Sequence, residues 1–432
     1  MAGRLRPPQR SDLGSTLVGY IIASGPRGHN GTPGLISRHL LFCTFMLRSL
    51  AIQYRTVLSG LSRITTGTPV IAHVDGLRFL AIASVFLFHF HGVLQEKLHA
   101  TGATGSWGNW LNTAATHGNI GVQLFFSISG FVLALPFASS YFLHTSKPAL
   151  SRYFLRRITR IEPPYLINLF ISTIRLVYKG YLLRDLKPHL IASALYCHNL
   201  IYADASSINV VAWSLEIEVQ FYVLAPLLCC LFGIRHRALR RFVLLSGMAA
   251  CHTIALGCSS ARVQLSLCGS LQYFLIGLLL ADLYVDSWHR SPKTERRWDL
   301  LTLAAFLVLG FGLTAPKLLY AVLPVSLILL QLGAFRGTVS RSLLSIPWLT
   351  TIGGMCYTMY LYHLYVISGV CNSVFSYTSS LTYEVQLVCQ CIAVVGATLL
   401  FTSVAFLAWE RPFMNREWPQ KTYKAITGLL VR

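Results

Sequence analysis

The chain has 432 residues, 54% of them hydrophobic and only 12% charged, with a mean hydropathy of +0.56. Soluble domains carry about 25% charged residues, so this composition leaves too little polar surface and excludes an ordinary soluble enzyme. The formal charge of +21, from 36 Lys and Arg against 15 Asp and Glu, would suit a nucleic-acid partner, but the cations sit in short loops between apolar blocks, which is the positive-inside pattern of a membrane protein.

Residues 1–70 stand apart, with eight arginines and a single acid, Asp12. They read as a basic, disordered N-terminal extension without chemistry, either Arg-rich and acid-poor in the manner of a transit peptide or preceding a true start at Met46. From about residue 76 the apolar blocks become regular and approach the roughly 20 residues that span a bilayer. Helices are predicted near 77–95, 119–137, 159–178, 211–233, 242–258, 267–286, 299–314, 317–335, 350–371 and 386–409. Segment 189–203 is apolar but short, and His198, Asn199 and Asp204 suggest a re-entrant or surface helix. The expected fold class is all-α: a polytopic transmembrane bundle of about ten helices over 71–415, followed by a cytoplasmic tail, 416–432.

Orientation follows from the loops. One set carries Arg152, Arg156, Arg157 and Arg160, then Arg235, Arg237, Arg240 and Arg241, then Arg290, Arg296 and Arg297, then Arg336 and Arg341. The alternate set carries only Lys97, Lys179, Arg184, Lys187, Arg262 and Lys317. Both termini are therefore expected in the cytoplasm. The eleven cysteines lie mostly inside apolar blocks, as at Cys229, Cys230, Cys389 and Cys391. They form no CxxC pair and no Cys/His metal spacing, so neither a disulfide nor a metal site is predicted.

Ionisable residues at membrane depth are costly and mark function by default. In the first helix Arg78 precedes His89 by eleven residues. That spacing puts them about 16 Å apart along the axis and on one face. His89 is then near mid-membrane, either tied to a neighbouring carbonyl or serving as a base. Arg157 and Arg160 share a helical face at the boundary, as topogenic charge or as a clamp for phosphates. Glu216 and Glu218 enter an apolar helix beside Trp213 and Ser214, about 200° apart around the axis, and need partners or protons. His363 lies among tyrosines in the ninth helix, as a core residue or a site residue. Glu410 to Phe413 reads as a helix end stopped by proline.

Taken together these segments resemble the membrane-bound acyltransferase 3 family, the O-acyltransferases of bacterial envelopes and secondary metabolites. The matching pieces are residues 75–89, 121–133, 154–166, 213–222, 357–363 and 410–413, in family order. Arg78 and His89 match the family's Arg-x10-His, Arg157 and Arg160 its Arg-x-x-Arg, and Trp213, Ser214 and Glu218 its WSLxxExxFY motif. Two positions depart from it: Gln123 stands where an acid is usual, and Glu162-Pro163 where an aromatic precedes the proline.

The resemblance implies an O-acetyltransferase of the cell inner membrane. Its donor would be an acyl-CoA, usually acetyl-CoA, entering from the cytoplasm, and its acceptor a hydroxyl of a carbohydrate or glycolipid. Arg157 and Arg160 would bind the donor, and Trp213, Ser214 and His363 the substrate. His89, Arg78 and Glu218 would be catalytic, with His89 acting either as base or as acyl carrier. No metal and no nucleic acid are implied. Some members carry a fused periplasmic SGNH-type domain. None follows the last predicted helix here, so a stand-alone form with a separate periplasmic partner is expected. The competing reading is a carrier of a lipid-linked or acylated sugar, which would show inverted repeats.

Overall fold

The apolar blocks are helical in the computed structural model, which describes residues 53–54, 56–64, 70–101, 109–378, 380–415 and 418, without a strand among them. The expected basic extension lies outside the described residues up to position 52, and so does the expected tail except Trp418. Residues 53–54 and 56–60 are helical and belong to a first compact unit, Met1–Gly60; the second unit is Leu61–Arg432.

The helices of the second unit are α1 (Ala72–Thr101), α2 (Asn109–Thr116), α3 (Gly121–Phe142), α4 (Leu150–Tyr178), α5 (Leu183–Ala194), α6 (His198–Tyr202), α7 (Trp213–Leu228) and α8 (Arg237–Gly257). They continue with α9 (Leu267–Asp282), α10 (Asp299–Gly312), α11 (Pro316–Arg336), α12 (Thr338–Leu344), α13 (Pro347–Gly354), α14 (Cys356–Thr378) and α15 (Tyr383–Ala405). Among the described residues seven stretches are long and apolar enough to cross a membrane: Ala72–Lys97, Gly118–Phe142, Val210–Gly233, Arg237–Gly257, Ala261–Ser287, Lys317–Arg336 and Tyr383–Met414. The molecule is a multi-pass membrane protein.

Three of the ten predicted spans differ from that set, each for its own reason. Helix α4 starts at Leu150 rather than near 159. Its first turns carry Arg152, Arg156, Arg157 and Arg160, so counting apolar residues misses them although they are helical. Pro163 and Pro164 consequently fall inside the helix, where each removes an amide donor. Helix α10 has only 14 residues. The block predicted at 350–371 is two helices, α13 and α14, separated at Met355, and α14 is rich in tyrosine. The break coincides with a close approach: a Cβ on Gly353 would run into the carbonyl oxygen of Asp75 at the start of α1.

Segment 189–203 forms the end of α5 and the short α6, joined through Tyr196 at φ 55°. His198 and Asn199 are buried. The Asn199 amide donates to Glu216 Oε2 at 2.8 Å, and its side-chain amide donates to the Trp213 carbonyl at 2.8 Å. Glu216 therefore anchors this hairpin to α7.

Two features stiffen the bundle. Helices α3 and α9 cross through glycines: a Cβ on Gly130 would meet the Phe274 carbonyl, and one on Gly277 would meet the Ser127 carbonyl. At the ends of α8 and α9, Arg240 is fully buried against the equally buried Asp282. Arg241 reaches Asp282 at 2.7 Å and Asp286 at 3.0 Å, and Arg237 reaches Asp286 at 3.2 Å. The Arg240 guanidinium also lies 4.3 Å from the centre of the Phe142 ring. Lipid-facing apolar side chains cover the periphery. On α15, Val388, Ile392 and Leu400 are exposed while Gln386, Gln390, Thr398 and Thr402 are buried. A helix in a bilayer turns its polar face inward in this way.

Candidate active site

The Arg-bearing face of α1 begins with Asp75, whose acidic side chain in the first turn suits the positive end of the helix. Asp75 accepts from two guanidiniums, Arg78 at 2.5 Å and Arg63 at 3.0 Å. Burial, and next the neighbouring Arg78, lower the Arg63 guanidinium to about 10, so it stays charged at neutral pH. Helix α4 brings Arg157 and Arg160 to the same place, on the face that their spacing of three predicts.

These four arginines line one cavity of about 130 Å³, together with Glu218 and Ser214 of α7, Ser129 of α3 and Tyr357 and Tyr360 of α14. An apolar cavity of about 150 Å³ takes up benzene, so the space matches one small group rather than a whole nucleotide. Its charge is lopsided. Glu218 accepts a hydrogen bond from the Ser129 hydroxyl at 2.5 Å, and Asp75 is shared between two cations. Among the described residues neither Arg157 nor Arg160 has a carboxylate within ion-pair distance. Arg157 lies 5.8 Å from the centres of the Tyr153 and Tyr222 rings, and its Nε is sealed from solvent without a partner. An unmatched buried donor costs about 1–3 kcal/mol, more on a charged group.

The two histidines are elsewhere. His89 is half-buried and outside the lining of this cavity. Its ring centre lies 5.0 Å from that of His363, which is completely buried. The two sites are nonetheless close along α14, because Tyr360 lines the cavity and His363 follows it by one helical turn. Ser214 and Tyr360 close the cavity on that side with a 3.2 Å hydrogen bond between their hydroxyls, and the Tyr360 hydroxyl also donates to the Val211 carbonyl.

Of the residues selected from sequence, Arg78, Arg157, Arg160, Ser214 and Glu218 thus meet at one cavity. His89 and His363 meet one another. Trp213 joins neither group; its side chain packs against the hydrophobic core. Sequence reasoning missed Arg63, which lay in the stretch assigned no chemistry, and Glu410. The latter is fully buried at a π-helical turn, Phe406–Glu410, accepts from the Thr358 amide at 3.0 Å and from its hydroxyl, and faces Arg160 and Arg78 electrostatically. Its signal was an acid at the end of a long apolar run, which reads equally well as a helix terminus. Among the described residues no group of three or more His, Cys, Asp or Glu could hold a metal ion.

The two departures from the motif pattern have local explanations. The Gln123 amide faces the carbonyls of Asn119 and Ile120 at 3.1 Å each, a donor role that a carboxylate cannot fill. Glu162 accepts from the Tyr196 hydroxyl at 2.7 Å, tying α4 to the hairpin of α5 and α6.

Residues 71–408, which contain all of this cavity except Arg63, match the acyltransferase 3 family, described as an acyltransferase domain. The chain belongs to that family. It is similar to O-acetyltransferase OatA of Staphylococcus aureus (strain NCTC 8325 / PS 47), with 25% identity over 326 residues, covering 68% of this chain and 50% of OatA. It is also similar to a putative O-acetyltransferase of S. aureus strain COL, with 24% identity over 327 residues, 69% of this chain and 50% of that protein. The chain therefore spans about half the length of these curated relatives. No solved structure matches it. The family and these relatives favour transfer chemistry over the carrier reading.

Proposed function

We propose that the protein is an inner-membrane O-acyltransferase, with both termini cytoplasmic, that moves an acetyl group from acetyl-CoA to a hydroxyl of a carbohydrate or glycolipid. The observation that carries this reading is the convergence of Arg63, Arg78, Arg157 and Arg160 on one cavity whose inner wall lies a helical turn from two facing imidazoles. Guanidinium groups bind phosphate bidentately, so the cavity serves one phosphate group of the donor. Arg78 belongs to this cradle. It is held by Asp75 and lies about 16 Å from His89 along α1, too far to touch a thioester that His89 serves. For the uncharged pantetheine arm to cross that interval, the contact between the Tyr360 and Ser214 hydroxyls must open. Glu218, bonded to Ser129, limits the positive charge of the cradle.

At the far end His89 takes the proton of the acceptor hydroxyl as the oxygen attacks the thioester carbonyl. The C–O bond forms, the C–S bond breaks, and the proton passes to the departing sulfur of CoA. A positioned general base of this kind contributes about 10²–10⁴ in rate.

The test is turnover of labelled acetyl-CoA by protein in nanodiscs, with His89→Ala and Arg157→Ala beside the wild type. His89→Ala should lower acceptor-dependent CoA release about 100-fold or more while calorimetric CoA binding persists. Arg157→Ala should weaken CoA binding. Wild-type turnover in His89→Ala would end the assignment of the base. Release of CoA that ignores any hydroxyl acceptor would end the assignment of the reaction.

A further inference from the structure

One nitrogen of His363 is a buried orphan. Its Nδ1 lies 3.0 Å from the Met359 carbonyl and 2.9 Å from the Tyr360 carbonyl. Carbonyl oxygens only accept, so the proton sits on Nδ1, and a neutral imidazole then presents a bare lone pair at Nε2. That Nε2 is sealed from solvent and has no partner. Unmet buried acceptors cost about 1–3 kcal/mol, and each one in a native structure asks for an explanation.

The group facing it is His89, with ring centres 5.0 Å apart and planes inclined at 56°. Among the described residues His89 makes no hydrogen bond. Its ring otherwise meets Phe88 edge-on at 5.0 Å. A neutral His89 has one N–H to give and one lone pair to use. Donating the N–H to His363 Nε2 satisfies the orphan, selects a single tautomer, and leaves the other nitrogen of His89 free to take a proton. The ring centres are 5.0 Å apart without a hydrogen bond between them, and catalytic hydrogen bonds often tighten only once substrate is bound.

We infer that His363 is the positioning residue for His89: a neutral imidazole, its own tautomer locked by two backbone carbonyls, that orients the base by accepting its N–H. This places His363 outside the acceptor site, where the motif resemblance put it. It also frees Glu218 from orienting the base, since Glu218 is bonded to Ser129 and turned to the arginine cavity. A neutral acceptor suits the location, because a carboxylate at this depth would itself need a counter-charge. The inference rests on the reading of His89 as the base.

Three variants beside the wild type and one spectrum test it: acetyl-transfer kinetics for wild type, His89→Ala, His363→Leu and His363→Gln, and 15N NMR of histidine-labelled protein with the His89 signals assigned by difference. Leucine fills the space without an acceptor, and glutamine restores an acceptor near the position of Nε2. Expected are a fall in kcat of about 10- to 1000-fold in His363→Leu with KM for acetyl-CoA unchanged, and substantial recovery in His363→Gln. The wild-type 15N shifts should report one predominant His89 tautomer, and those of His363→Leu a mixture. Wild-type kcat in His363→Leu, or equal losses in the leucine and glutamine variants, would overturn the inference while leaving an inactive His89→Ala as evidence for the base. An evenly mixed His89 tautomer in the wild type overturns it without any variant, which covers the case of a leucine protein that does not fold. Full turnover in His89→Ala would instead remove the base, and the inference with it.

Discussion

Two clusters of arginine stand in this bundle, and they differ in what answers them. Arg237, Arg240 and Arg241 each reach a carboxylate of Asp282 or Asp286, and Arg240 and Arg241 reach both. Arg240 adds the Ile234 carbonyl and the Phe142 ring, and Arg241 the Ser287 hydroxyl. Every guanidinium of that cluster has a carboxylate within ion-pair distance, although one buried Arg240 nitrogen lacks a hydrogen bond, and the cluster fastens α8 to α9. Around the cavity, Asp75 serves both Arg63 and Arg78, Glu218 is occupied by Ser129, and Arg157 keeps a sealed, unmatched Nε. That cluster is incomplete as it stands. Both clusters are built from arginine, and what separates them is that Arg157 and Arg160, among the described residues, have no carboxylate within ion-pair distance.

The contrast can be broken from either side. The largest effect is expected from Asp282→Asn, which strands the buried Arg240 without its counter-charge. Removing one partner of a buried pair costs about 3–5 kcal/mol, so the variant should lose folded protein on thermal melting in nanodiscs. An unchanged melting curve would erase the distinction. Next comes Arg157→Ala. CoA affinity should fall about 10- to 100-fold, as expected for charge-assisted bonds of about 1.5–3 kcal/mol. Its melting temperature should hold or rise, because an uncompensated cation has been removed. Melting as damaged as that of Asp282→Asn would make Arg157 a structural residue after all. The smallest effect is expected from Arg160→Lys, which keeps the charge and loses the planar fork. CoA binding should weaken about three- to tenfold, and a variant as poor as Arg160→Ala would show that fork geometry outweighs charge.

Much of this was legible in the sequence because apolar runs and cations are strong signals. The helical membrane class and the positions of most helices follow from spacing, whereas the sequence reading set Arg78 and Glu218 beside His89 and Ser214 beside His363, and the cavity instead brings Arg78, Ser214 and Glu218 together with Arg157 and Arg160. What stayed hidden was pairing across elements. Nothing local to Arg63 reveals that Asp75 will hold it, and the acid-poor stretch around it reads as a lead-in. Glu410 looks like a helix end because the π-helical turn that buries it has no sequence mark of its own. The first turns of α4 escaped because their arginines defeat a search for apolar residues, even though arginine is a good helix former. The distance of His89 from Arg78 was legible in their spacing, but its meeting with His363 was not, because nothing local to either histidine marks the other.

The glycine crossing of α3 and α9 bears on how this protein can vary. Ser129, which holds Glu218 at the cavity wall, is the residue directly before Gly130, and Gly130 lies against the Phe274 carbonyl without room for a methyl group. Any replacement there must slide one helix past the other and carry Ser129 with it. The dimensions of the arginine cavity are thus written partly into a contact outside its lining. A library aimed at new donors would find this position intolerant while the lipid-facing residues of the same helices drift freely.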